Sequence, residues 1–471
     1  MKESEASGPD FLHSKRLKTS KNASGWPAPP SHFVDGASSC MIAQPRSFLA
    51  FQSTPSENVT CPMSHVRTAA AVLIAGLLIA YSLIFYQLRR QVSEGYSDFI
   101  SFYTAGKILQ RGAGNRLYDL HLQYEIQKEV APHVSIRQGA LPFVRPAFEA
   151  WLFWPLAYLP YKAAFLLWAL FSCGCLFAVA GILRAEIAAL RVFSPIVMFA
   201  AMLSYFPVFI TLLQGQDSIL LLLVYAVAFR ALRKGAPLAS GMILGLGTFK
   251  FTLVLPFLIP FLVVRRIRVA LGFALTSVVL AGVSIASVGW PSAAYYPKFL
   301  LSIDRLAPAV NVPKDMPNIR GLLSLLFHAG TLPAAGVLML ALLSVLLLAF
   351  AVIKFSQRSD GVVFDLGFGL NLAVTVLVSY HCHSFDLSIL VVPITLVIAL
   401  ILSGPIPPQA GTSLMWGVGL IAFSPLYLVL SLALNYTSLL AVILLIFTFV
   451  LGFAISELKT RASGAEQTLH T

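Results

Sequence analysis

One short stretch sets a lone carboxylate among aromatic rings: Tyr96 to Gly106, YSDFISFYTAG. Asp98 in it can serve two ends. Asp is a preferred helix N-cap, so it can open the helix that runs on to Arg111. A single carboxylate can also take the proton of an alcohol nucleophile as a general base. Its neighbours Phe99, Phe102 and Tyr103 can hold a short helix at a surface or stack against a sugar. Four more polar features stand at the edges or inside apolar runs. Asp119 ends LYD and reads as a helix cap. Gln214, Gln216 and Asp217 sit in LLQGQDS, a turn in which Asp217 either caps the next run or meets a substrate. Lys250 lies inside the apolar segment 237–264. An ammonium in lipid costs at least about 2.5 kcal/mol, so it calls for a partner or a function. His381, His383 and Asp386 share SYHCHSFDLS. His at i and i+2 do not share a helical face, and no second ligand pair accompanies them. Hydrogen bonding to a substrate or phosphate is the better reading, and no metal or other cofactor is expected.

A Lys and two imidazoles form an anion site of the kind a lipid-linked phosphate needs. A phosphate leaving group departs with its charge already stabilised. One base and one cationic clamp can therefore run an inverting glycosyl transfer, whereas glycoside hydrolases use two carboxylates. The chain has no Gly-rich phosphate loop, which speaks against a soluble nucleotide donor.

These groups must be positioned by a membrane protein. Of 471 residues 58% are hydrophobic and 11% charged, with mean hydropathy +0.81. A soluble domain carries about 25% charged residues. The net charge of +13 fits Lys and Arg in cytoplasmic loops better than nucleic-acid binding. The five cysteines form no zinc or disulfide pattern. Residues 1–66, rich in Ser, Pro and charge, read as a disordered cytoplasmic tail, and 459–471 as a second tail. Between them, 67–458 form the transmembrane catalytic domain. Apolar runs of spanning length, about 20 residues, fall near 69–88, 162–183, 195–213, 217–233, 268–289, 333–353, 361–380, 384–403, 413–433 and 437–456. That gives an all-α polytopic fold of about ten full spans. Cationic clusters at 184–191, 230–234, 265–268, 354–358 and 459–461 belong in the cytoplasm by the charge rule. Segment 237–264 then starts and ends on one side. It must be a re-entrant hairpin of two short arms, with its turn near Lys250. Two large loops, 89–161 and 290–332, lie on the external face, and the first holds two amphipathic stretches at about 98–111 and 117–130. Trp151, Trp154 and Tyr158 read as interfacial anchors. Asp98, Asp119, the Gln-Gly-Gln-Asp turn, Lys250 and the His pair all fall on that face, although cations elsewhere fixed the topology.

Taken in order, SDFISFYTAGKILQRG, LYD, FWPLAYLP, LLQGQDSILLLL, GMILGLGTFK and SYHCHSFDLSILVVP resemble glycosyltransferase family 87 from about residue 67 to residue 400. That resemblance implies a GT-C fold with an external active site under helical first-loop segments. It also implies transfer of mannose or another sugar from a polyprenyl-phosphate donor to a lipid or glycan acceptor. It makes Asp98 the candidate catalytic base, and gives Lys250, His381 and His383 to the donor phosphate or sugar. Tyr103, Gln216, Asp217 and Asp386 are possible substrate contacts. The chain departs from the family pattern at Tyr380, where Ser-Pro-His is usual, and lacks a Pro just after Lys250. Two other function classes remain open to the residues. A secondary transporter also uses broken helices and buried charge, though the chain shows no internal repeat. A lipid-phosphate binding or flipping protein needs the cationic site but not Asp98. The expected location is a multi-pass cell membrane protein with its site facing the periplasm or exterior.

Overall fold

The computed structural model describes residues 62–134, 139–306, 312–355, 361–404, 406 and 408–469. The expected tail at 1–66 lies outside them up to residue 61. The described residues form helices and 3-10 turns, with no strand among them. The first apolar run becomes α1 (Pro62–Glu94), which ends at Gly95 with φ 101°. The first-loop stretches become α2 (Phe99–Gln110) and α3 (Leu120–Val130). A single turn, α4 (Ala150–Phe153), leads to the long α5 (Tyr161–Glu186). Then come α6 (Pro195–Leu203), α7 (Phe206–Gln214), α8 (Ser218–Arg233), α9 (Pro237–Leu246) and α10 (Phe251–Val263). α11 (Ile267–Leu306) is kinked at Gly289, φ 76°. The short α12 (Ile319–Leu326) precedes α13 (Ala334–Lys354), α14 (Gly361–Val378), α15 (Val391–Ser403), α16 (Pro408–Ala422), α17 (Ser424–Leu428) and α18 (Leu440–Leu469).

Among the described residues eight helical runs are long and apolar enough to cross a membrane, or ten with two bent pairs counted as one each. Both bent pairs lie where straight spans were expected. α6 and α7 meet at 76°, and the 409–422 and 424–431 helices at 44°. Pro207 and Pro425 stand in the first turn after each break, where a missing N–H is harmless. The breaks stitch each other. Ser424 Oγ accepts from Phe206 N at 2.9 Å and donates to Ser204 O at 2.8 Å. Tyr205 and Tyr427 hydroxyls meet at 3.0 Å. Backbone freed inside a membrane protein must be satisfied in this way. α2 lies deeper than a surface helix, with nine of its twelve residues buried against α4 and α5, whereas α3 keeps a solvated face.

Pro237–Val263 is one of the eight runs, yet it folds back as the expected hairpin. A Cβ on Gly247 would touch Val254 Cγ2 at 3.0 Å, whereas seven residues of straight helix span about 10 Å. α9 runs antiparallel to α8, with Ser240 Oγ donating to Ala228 O at 3.0 Å near its start and Gly247 against Leu221 at its end. α10 returns along α14, where Asn371 Nδ2 donates to Phe257 O at 2.7 Å, and Phe261 meets Phe355. On its other side α9 presses against α11 through glycine. A Cβ on Gly241 would lie 2.0 Å from Val269 O, and one on Gly272 2.1 Å from Leu238 O. Small residues permit such backbone contact between membrane helices.

The cationic clusters gather at one end of this bundle. Arg230 pairs with Glu186 at 3.3 Å and Arg233 with Asp365 at 2.6 Å. Arg266 lies 5.8 Å from the ring centres of both Phe355 and Phe364. Lys354 donates to Ser456, and Lys459 Nζ to Lys354 O at 3.2 Å. Arg358 lies outside the described residues. The hairpin tip points to the opposite end.

A candidate active site under the hairpin tip

At that opposite end a cavity of about 490 Å³ opens between the start of α2, the loop 139–145, the hairpin tip, the C-terminal part of α11 and the 381–386 segment. Its size suits a ligand site.

Asp98 stands at its wall, one residue ahead of α2. Its carboxylate makes no cap bond to the α2 backbone. It accepts from Gln216 Nε2 at 2.8 Å, and its own N–H donates to Gln214 Oε1 at 3.2 Å. The two glutamines reach it because Gly215 turns the chain at φ 64°, a left-handed conformation that glycine adopts freely. A Cβ there would also strike Phe99 Cβ at 2.7 Å. Tyr103 points elsewhere: it is buried, and its hydroxyl donates to Leu159 O at 2.7 Å, away from the cavity wall.

Lys250 reaches the cavity from the 3-10 turn 247–250. Its Nζ lies 2.6 Å from Asp217 Oδ1 and 2.5 Å from Asp386 Oδ1, and it also donates to Ser218 Oγ. An ammonium has three donors, and all three have partners in the protein. Asp217 is fully buried and absent from the cavity wall. It offers no side-chain cap to α8 and instead bridges Lys250 to Arg145, whose Nε lies 3.0 Å from Asp217 Oδ2. Burial works against the Asp217 charge, but Arg145 and Lys250 hold its pKa at about 2. Asp386 lines the cavity, but both its oxygens are engaged: Oδ1 accepts from Lys250 and Ser218, and Oδ2 accepts from His383 N at 2.9 Å.

Arg145 lines the cavity and was missed by sequence reasoning. Nε and Nη2 hold Asp217, while Nη1 makes no hydrogen bond among the described residues. Burial opposes its charge, but Asp217 and Glu149 beside it raise its pKa. Glu149 is wholly buried, 3.8 Å from Arg145 Nε, and neither carboxyl oxygen accepts a hydrogen bond from the described residues. Burial first, then the Asp217 charge, push its pKa well up. Arg145 and Lys250 thus stand among three buried carboxyl groups, Asp217, Asp386 and Glu149.

His381 and His383 complete the wall. Burial and the Arg320 guanidinium, 3.4 Å from His381 Nδ1, push the His381 pKa down to about 4. Burial also lowers that of His383. Both rings are neutral hydrogen-bonding groups at pH 7. Among the described residues no three His, Cys, Asp or Glu side chains are grouped to hold a metal ion. Asp119 stands apart: it caps α3, accepting from His121 N at 3.0 Å and Leu122 N at 3.3 Å, and borders a separate cavity.

The arrangement offers a carboxylate, a guanidinium with a spare N–H and neutral imidazoles to one cavity. The sequence pattern of glycosyltransferase family 87 matches residues 143–380, half of the chain. The chain belongs to glycosyltransferase family 87. No curated protein and no solved structure matches it. The matched span of this membrane glycosyltransferase runs through Arg145, Gln216, Asp217, Lys250 and Arg320, while Asp98 precedes it and His381 follows it. Membership sets glycosyl transfer above the transport and flipping readings.

Proposed function

We propose that this glycosyltransferase takes its sugar, mannose or another hexose or pentose, from a polyprenyl phosphate and passes it to a lipid or glycan acceptor in the cavity under the hairpin tip. In this reading the acceptor hydroxyl gives its proton to Asp98 as its oxygen attacks the anomeric carbon. The bond from that carbon to the phosphate oxygen breaks, polyprenyl phosphate leaves with its electron pair, and the anomeric configuration inverts. Arg145 Nη1 and the His381 ring hold the phosphate. Lys250, with its donors occupied, is the internal counter-ion that keeps Asp217 and Asp386 in place. The site faces the external side of the membrane, opposite the cationic end. The observation that carries the reading is the Asp98 carboxylate at the wall of a cavity that also receives a guanidinium with an unused N–H.

The test supplies the purified protein with a surrogate acceptor and either a polyprenyl-phosphate sugar or the matching nucleotide sugar. The reading predicts product from the lipid donor alone, with anomeric configuration opposite to the donor's. Turnover of the nucleotide sugar, or retained configuration, contradicts it.

A further inference from the structure

His381 approaches the cavity from behind, through the segment between α14 and the 3-10 turn Ser384–Leu390. Behind its ring stands Arg320 of α12, a residue largely hidden from solvent. Arg320 Nη1 lies 3.4 Å from His381 Nδ1 and donates to Tyr380 O at 3.2 Å; Nη2 donates to Asp304 Oδ2 at 2.8 Å. Its guanidinium carbon sits 4.0 Å from the Tyr380 ring centre, so both terminal nitrogens and one face of the guanidinium are held. A guanidinium only donates and never loses its proton in proteins. Nδ1 must therefore present its lone pair to Arg320, and the one ring proton must sit on Nε2. Nε2 is 3.9 Å from Asp304 Oδ1, beyond hydrogen-bond reach, and that oxygen has no hydrogen-bond partner among the described residues. The Nε2–H is thus unspent in a ring that lines the cavity.

We propose that Arg320 is a positioning residue that fixes His381 as a neutral imidazole with Nε2–H presented to an oxygen of the bound donor. His381 then binds as a hydrogen-bond donor, and acts neither as a cation nor as a base. This rests on the reading of the cavity as the donor site. The charged and titratable groups facing the ring are Arg320 on α12, Asp304 on α11, Arg145 from the first loop, and Tyr380 and His383 on its own segment. Burial and Arg320 outweigh Asp304, which alone would favour the protonated ring.

The test has one arm that needs no donor. Full-length protein with ¹⁵N-labelled histidine is placed in nanodiscs and its ring nitrogens are followed from pH 4 to pH 8. The proposal predicts one ring, absent from His381→Asn, that is still neutral at pH 5 with its proton on Nε2. In Arg320→Gln that ring takes up its proton at a higher pH than in wild type, because burial still opposes the charge but the guanidinium no longer does. A wild-type His381 ring that titrates between pH 6 and pH 7, or carries its proton on Nδ1, overturns the proposal. The second arm does not depend on how Arg320 variants fold. His381→Gln keeps an N–H and should hold the donor KM within about fivefold, while His381→Leu should raise it at least tenfold. Neither should alter the pH dependence of kcat/KM between pH 6 and pH 8. Loss of a wild-type limb near pH 6.5 in both variants overturns the proposal. If no lipid-phosphate donor is used yet the ring is neutral at pH 5, the donor reading fails and the role of Arg320 stands.

Discussion

Arg145 and Lys250 both bring positive charge to the cavity wall, but they meet different partners. Lys250 is enclosed by Asp217, Asp386 and Ser218, whereas Arg145 Nη1 makes no hydrogen bond among the described residues. Removing one partner of a buried ion pair costs about 3–5 kcal/mol, because the other charge is stranded. Lys250→Met should therefore lower the thermal midpoint sharply while folded protein keeps its donor KM. Arg145→Lys, which retains a charge for Asp217 but loses the guanidinium fork, should raise donor KM several-fold with a small change in midpoint. A Lys250→Met protein that folds normally and no longer binds donor would reverse these roles. Glu149 gives a pH signature. Its folded pKa lies above its ordinary value of 4.5, so its favourable contribution is full below about pH 4.5 and is lost as pH rises toward the folded pKa. Glu149→Gln does not titrate. Its thermal midpoint should match wild type near pH 4 and exceed it as pH rises above about 4.5; a difference that does not change with pH would show that the Glu149 pKa is not raised in the fold. Asp98, Gln216, Lys250 and the histidines were legible because polar residues in or beside apolar runs stand out. Arg145, Glu149 and Arg320 were not, because in charged loops such residues look ordinary and burial is not written in composition. Tyr103 stood beside Asp98 in sequence, but the helix turns it toward Leu159.

The hairpin α9–α10 is the element that delivers Lys250, and glycine holds its first arm against α11. Gly241 has Val269 O where a Cβ would go, while Gly174 on α5 has nothing within 4 Å. Overpacking a close contact costs about 1–3 kcal/mol. Gly241→Ala should lower the thermal midpoint in detergent, and Gly174→Ala should leave it unchanged or slightly raised; equal midpoints would mean that the α9–α11 contact is loose. The hairpin was legible because 237–264 is too long for one span and cationic at both ends. The bends at Leu203–Phe206 and Ala422–Ser424 were not. Their only local marks are Pro207 and Pro425, and the Ser424 bonds that make them tolerable join residues more than 200 positions apart.

For the whole molecule, charge fixed the sorting of ends. Arg230, Arg233, Arg266, Lys354 and Lys459 are tied together by ion pairs, ring contacts and hydrogen bonds at one end, and the cavity lies at the other. Placing the first end in the cytoplasm predicts that, on a background without native cysteines, Tyr158→Cys labels from outside intact cells and Lys234→Cys does not. The opposite pattern would put the cavity inside. The count of spans was less legible than the ends, because bent helices keep the composition of straight ones. The central claim concerns what the cavity does once a donor is in it. General-base catalysis contributes about 10²–10⁴-fold. Asp98→Asn keeps a group of the same shape for Gln216, so the most direct measurement is its rate of sugar transfer from a polyprenyl phosphate beside its donor affinity. The account predicts a rate at least about 100-fold below wild type with donor affinity within a few-fold; transfer at the wild-type rate would contradict it.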